Sequence, residues 1–154
     1  MGEESTALEA LFRFSHGHRV RYEEVDAQGI VGSASWLGLL QLGRNEYLRY
    51  LGLMLEGSSR APVQPVVRRA VVEHLAPARF DDALAIRVRT ARLGNRSAHL
   101  EYIVDNVDTG LRPLVGATLI VCVEQSTLRS MPWPQVFRQR VLELEGENCQ
   151  VGQR

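Results

Sequence analysis

The hydrophobic period along the chain starts at two, lengthens once and returns to two. His18, Val20 and Tyr22 alternate with Arg19 and Arg21, the period of two of a strand. Trp36, Leu40, Gly43, Tyr47 and Leu51 then recur at helical spacing, and Gly52 stands where such a helix would stop. Ser33 and Ser35 are candidate N-caps. This is the one long helix predicted in the body of the chain. A Gly/Ser/Pro-rich connection over residues 56–65 follows. Residues 66–75 are then rich in β-branched side chains, and Pro77-Ala78-Arg79-Phe80-Asp81-Asp82 breaks them off. Leu84, Ile86 and Val88 alternate with Arg87 and Arg89. After the turn Leu93-Gly94-Asn95-Arg96, Leu100, Tyr102 and Val104 alternate with His99, Glu101 and Asp105. Residues 106–110 form the next turn. Residues 114–123 are almost all apolar, which predicts a strand covered on both faces. Met131-Pro132-Trp133-Pro134 ends the sheet, and residues 135–144 suit a closing helix. Residues 1–15 read as an extension with a helical turn or two, and residues 146–154 as a polar tail. A strand, one long helix and then a run of antiparallel strands make an α+β domain whose sheet wraps its apolar face around that helix.

Composition narrows the chemistry. The chain has 154 residues, 45% hydrophobic and 23% charged, enough for one domain with a core of its own. Its net charge is zero, so the charge balance points to neither a nucleic-acid nor a membrane partner. All 18 basic residues are arginine, which excludes a lysine Schiff base and a P-loop lysine. Cys122 lies within an apolar run and Cys149 in the polar tail, which suggests neither a disulfide framework nor a zinc site. With no signal peptide and no apolar run near the roughly 18 residues of a membrane span, a cytoplasmic protein is expected.

The loop Val25-Asp26-Ala27-Gln28-Gly29-Ile30-Val31 carries the most chemistry. It sets a carboxylate just ahead of a helix start, where unpaired backbone N–H groups and partial positive charge are found. Such a pair is suited to attacking or activating at a carbonyl while polarising its oxygen. The same residues also suit a plain turn, with Asp first and Gly fourth. On the residues alone the two readings are even. His16 and His18 share a strand face without further ligands, so no metal is expected. There is no Gly-x-Ser-x-Gly elbow.

Taken together, Arg21-Tyr22, the loop 25–31, the helix 36–52 with Arg44 and Glu46, the segment 77–82, Asn95-Arg96-Ser97 and Thr127-Leu128-Arg129 resemble a known family. It is the hot-dog acyl-CoA thioesterases of the 4-hydroxybenzoyl-CoA thioesterase type. The resemblance covers roughly residues 16–140 and frames a hot-dog domain over residues 16–145. It implies an antiparallel sheet of five or six strands around the helix. It also implies dimers, often paired into tetramers, with active sites at the subunit interface. Asp26 is then the catalytic residue, as nucleophile or as general base, and needs no cofactor beyond the coenzyme A of its substrate. Gly29, Val31, Gly32, Ser33 and Ser35 shape the carbonyl-polarising pocket, the amides of residues 32–35 facing the thioester oxygen. Arg44 is assigned to the same pocket, with structural pairing as its other reading. Arg96 and Arg129, with Ser97, are suited to the phosphates of coenzyme A, and each arginine taken alone suits a solvated surface position at least as well. Many relatives carry Tyr or His where this chain has Ser33, and Asn-Tyr where it has Ser35-Trp36. The smaller Ser33 leaves room for a bulkier acyl group. The expected activity is acyl-CoA hydrolysis. Hydrolysis of acyl groups on an acyl-carrier protein, and acyl-CoA binding without turnover, are the alternatives.

Overall fold

The computed structural model describes residues 7–53 and 63–152. Most of the expected 56–65 connection and the ends of the chain lie outside them. The elements run β1 (Phe14–Arg19), a 3-10 turn (Tyr22–Glu24), α1 (Ser33–Tyr50), β2 (Val63–His74), β3 (Ala83–Leu93), β4 (Ser97–Asn106), β5 (Leu114–Glu124), α2 (Gln135–Glu145), a second 3-10 turn (Gly146–Asn148) and β6 (Gln150–Val151). The strands form one sheet in the order β1-β3-β4-β5-β2. Those five pair antiparallel, and the short β6 adds a parallel rung to β3 at Arg92 and Leu93.

Period-two patterning decides which face is buried. In β3, Leu84, Ile86 and Val88 point inward while Ala85, Arg87 and Arg89 point out. In β4, Leu100, Tyr102 and Val104 do the same. The helix lays Trp36, Leu39, Leu40, Gly43, Tyr47 and Leu48 on this surface. Gly43 allows the close approach: a Cβ there would stand 2.5 Å from Ile86 Cγ2. Bulges at residue 68 of β2 and residue 91 of β3 add the local twist that curves the sheet around the helix.

Several boundaries differ from the sequence expectation. Tyr22 is not in β1. Val20 leaves the ladder to bond with the 77–82 segment, and Tyr22 enters the 3-10 turn with 78% of its surface exposed. The strand begins instead at Phe14, inside the expected extension. Before it, Phe12 is buried under Arg89, 5.6 Å from guanidinium to ring centre, and Glu9 pairs with Arg112 at 2.9 Å. Cys149 is likewise buried, because the tail turns back to place β6 beside β3.

The register gives the sheet two distinct ends. Arg19, His74, Ala83, Asn106 and Leu114 gather at one, and Val63, Leu93, Ser97 and Glu124 at the other. At about 3.3 Å per residue, the run of β3 from Ala83 to Leu93 separates them by roughly 30 Å.

Candidate active site

Backbone bonds build the Asp26 loop as a miniature hairpin. Val25 and Val31 form an antiparallel bridge, and the Asp26 N–H donates to the Ile30 carbonyl at 2.9 Å. The Gly29 N–H closes a four-residue turn on the Asp26 carbonyl at 2.9 Å, with Gly29 at φ +73°, a conformation that favours glycine. The turn that these residues suit is therefore formed, and it holds the Asp26 carboxylate. The Gln28 N–H donates to Asp26 Oδ1 at 2.8 Å. Oδ2 faces the helix start, 3.9 Å from where a Cβ on Gly32 would lie.

The helix start is open. Gly32, rather than Ser33 or Ser35, is the N-cap, and among the described residues no side chain caps the helix. Both serines fall in the first turn, Ser33 exposed and Ser35 half-buried. The Gly32 N–H already donates to the Glu24 carbonyl at 3.1 Å, so it is not one of the free amides expected there. The first intrahelical bond runs from Trp36 N–H to the Gly32 carbonyl, which leaves the amides of Ser33, Ala34 and Ser35 without an intrahelical acceptor. They lie at the positive end of an 18-residue helix, next to Gly32, where Asp26 Oδ2 is close.

The 77–82 segment locks this assembly to the sheet. The Val31 N–H donates to the carbonyl of the fully buried Ala78 at 2.9 Å, and Ile30 bridges to Arg79. Asp82 Oδ2 accepts from the Arg79 N–H and from Asn106 Nδ2, both at 2.7 Å. Glu24 supports the other limb. Its carboxylate receives His18 Nε2 at 2.8 Å and the Arg21 N–H at 2.8 Å. Sequence reading missed Glu24, Ala78 and Asn106 as parts of the site. Their only signal was the proximity of Glu24 to the loop and the small size of Ala78.

The other expected site residues lie elsewhere. Gly29 and Val31 shape the loop as described. Arg44 is 11 residues past Ser33, so about 16 Å along the helix axis from the open amides. It lies near the buried Tyr102 hydroxyl, which bonds Thr118 at 2.8 Å. Arg44 is thus not beside Asp26, and Glu46 pairs with Arg49 at 2.6 Å instead. Trp36 is 3% exposed and belongs to the core. Arg96, Ser97 and Arg129 gather at the far end of the sheet. Arg96 donates to the Ser130 carbonyl at 3.1 Å, and the Glu124 N–H to the Arg129 carbonyl at 2.9 Å. Within one chain, therefore, the three do not share a site with Asp26.

The model of the thioesterase-like superfamily matches residues 20–141. The chain belongs to this superfamily. Within it, this thioesterase is similar to the acyl-CoA thioester hydrolase YbgC of Escherichia coli O157:H7, 33% identical over 118 residues, 76% of this chain and 87% of that one. It is also similar to the acyl-CoA thioesterase YbgC of Haemophilus influenzae, 27% identical over 127 residues, 79% of this chain and 89% of the other. A Thermus thermophilus thioesterase solved with coenzyme A and zinc is 28% identical with a TM-score of 0.75, over 88% of this chain and 97% of that structure. Among the described residues of this thioesterase, no group of three His, Cys, Asp or Glu side chains is arranged to hold a metal ion.

Proposed function

We propose that this thioesterase hydrolyses acyl-CoA: thioester and water become a carboxylate and free coenzyme A. The observation that carries the reading is the Asp26 carboxylate set against an uncapped helix start. Two routes use the same geometry. In one, Asp26 attacks the carbonyl carbon, the C–S bond breaks to release the thiolate, and water then hydrolyses the mixed anhydride. In the other, Asp26 takes a proton from water, which attacks directly. In both, the amides of Ser33, Ala34 and Ser35 stabilise the negative charge that develops on the carbonyl oxygen. No metal or cofactor is needed in either route. The exposed Ser33 leaves space at the loop for a bulky acyl group. Cytoplasmic placement fits Cys122 and Cys149, both free thiols.

The reading includes self-association. β2 is a 12-residue edge strand with Val66, Val67 and Val71 each 37–50% exposed. A long apolar edge with unpaired backbone groups favours pairing with another strand. Two β2 strands paired across a two-fold axis perpendicular to them run antiparallel. That pairing sets the Asp26 end of one protomer beside the far end of the next, so that Arg96, Ser97 and Arg129 of one chain serve the coenzyme A phosphates at its neighbour's Asp26.

A hydrolysis panel of short, long, branched and aromatic acyl-CoA esters, with the same acyl groups on a carrier protein, tests the activity. Turnover of one or more CoA esters is expected. Strong turnover restricted to carrier-bound groups would move the substrate to the carrier protein. Tight binding with no hydrolysis of any ester would make the chain a binding protein.

A further inference from the structure

We infer that His18 and Glu24 form a positioning pair that fixes Asp26 against the helix start. The inference rests on the catalytic reading of Asp26 given above. The hairpin carrying Asp26 has two limbs. The limb at residues 30–32 is tied to the sheet by backbone bonds at Ala78 and Arg79. The limb at residues 24–26 holds the aspartate itself. Glu24 is its first rung, since the Glu24 carbonyl receives the Gly32 N–H at 3.1 Å. Val25 opposite Val31 is the second rung, and the Asp26 N–H on the Ile30 carbonyl is the third. The side chain of Glu24 therefore sets where this ladder stands relative to β1.

That side chain is anchored. His18 Nε2 lies 3.0 and 2.8 Å from the two carboxylate oxygens, and its neighbour on β3 is Leu84. Only 7% of the His18 side chain and 17% of the Glu24 side chain are exposed. A pair so shielded pays heavily in desolvation, and apolar residues of similar size often hold a fold equally well. Stability alone is thus a weak reason for the pair. A defined direction is a better one, because a hydrogen-bonded imidazole and carboxylate meet in a narrow range of geometries. A displacement of the carboxylate by about 1 Å costs as much as a hundredfold in rate when attack geometry is lost.

Three variants test the inference through the separation of kcat from KM. His18→Leu removes the donor, and His18→Gln returns an N–H donor at a similar reach. For His18→Leu, kcat is expected to fall about tenfold or more with KM within about twofold, and His18→Gln to recover most of that loss. Wild-type kcat in His18→Leu would overturn the inference. So would equal losses in both variants that merely follow their melting temperatures. Asp26→Asn, measured alongside, separates the two claims. If it abolishes turnover while His18→Leu leaves kcat unchanged, only the positioning role fails. If it turns over normally, the catalytic reading fails.

Discussion

Glu145 is the residue whose environment departs furthest from what its charge would suggest. It is fully buried at the end of α2, where Oε1 accepts from the Tyr47 hydroxyl at 2.6 Å and the Thr90 N–H at 3.0 Å. Oε2 has no hydrogen-bond partner among the described residues. Burial pushes its carboxyl above the ordinary value, against the opposing pull of Tyr47, Thr90, Arg89 and Arg13. The folded chain then keeps a proton that the unfolded chain releases near the usual glutamate value. This contribution to stability is full below that value and is lost as pH rises through the raised one. Glu145→Gln mimics the protonated form. Its melting temperature is expected to match the wild type near pH 4 and exceed it by about 2–5 °C at pH 9, read by thermal unfolding across pH. Parallel pH curves for the two proteins would contradict the assignment.

At the scale of elements, β2 carries the weight. Its open edge explains why valines are exposed on a strand that pairs with β5 along its whole length. Like charges facing each other across a strand pair destabilise it. Val66→Glu with Val71→Glu is expected to shift the protein from dimer to monomer in sedimentation, and to lower turnover with it. A monomeric wild type, or a variant that stays dimeric, would remove β2 as the interface. The same elements mark what was legible in the sequence. The long helix, β3 and β4 were, because their apolar residues follow periods of 3.6 and 2, and β5 was as a continuous apolar run, although Val115, Leu119 and Val121 on its other face are only half-buried within one chain. The start of β1 at Phe14 was not, since His16, Gly17 and His18 carry no apolar alternation and the strand is defined by pairing with β3. The N-cap at Gly32 was also missed. Serines are the common caps, whereas this helix start is left open by a glycine whose N–H goes to Glu24. The position of Asp26 was readable because it depends on local turn chemistry. That of Arg44, Arg96 and Arg129 was not, because it depends on helix length and on sheet register.

The molecule as a whole keeps its carboxylate and its candidate phosphate-binding arginines at opposite ends of one sheet. On the proposed reading a complete site draws on two chains, and complementation tests this. Arg129→Ala alone is expected to raise KM for a CoA ester about tenfold and leave KM for a truncated pantetheine ester unchanged. Mixed dimers of Arg129→Ala with Asp26→Asn pair an intact Asp26 with an intact Arg129 in one of their two sites. In an equimolar mixture about half of the dimers are mixed, so about a quarter of all sites are expected to regain wild-type activity at wild-type KM. A mixture whose KM stays at the Arg129→Ala value would place both residues in one chain's site. Beneath all of this stands Asp26 at the open helix start, and steady-state release of free thiol from acyl-CoA by Asp26→Asn tests it most directly. Turnover is expected to fall about a thousandfold or more while melting temperature and dimerisation stay at wild-type values. Near-wild-type hydrolysis by that variant would contradict the account.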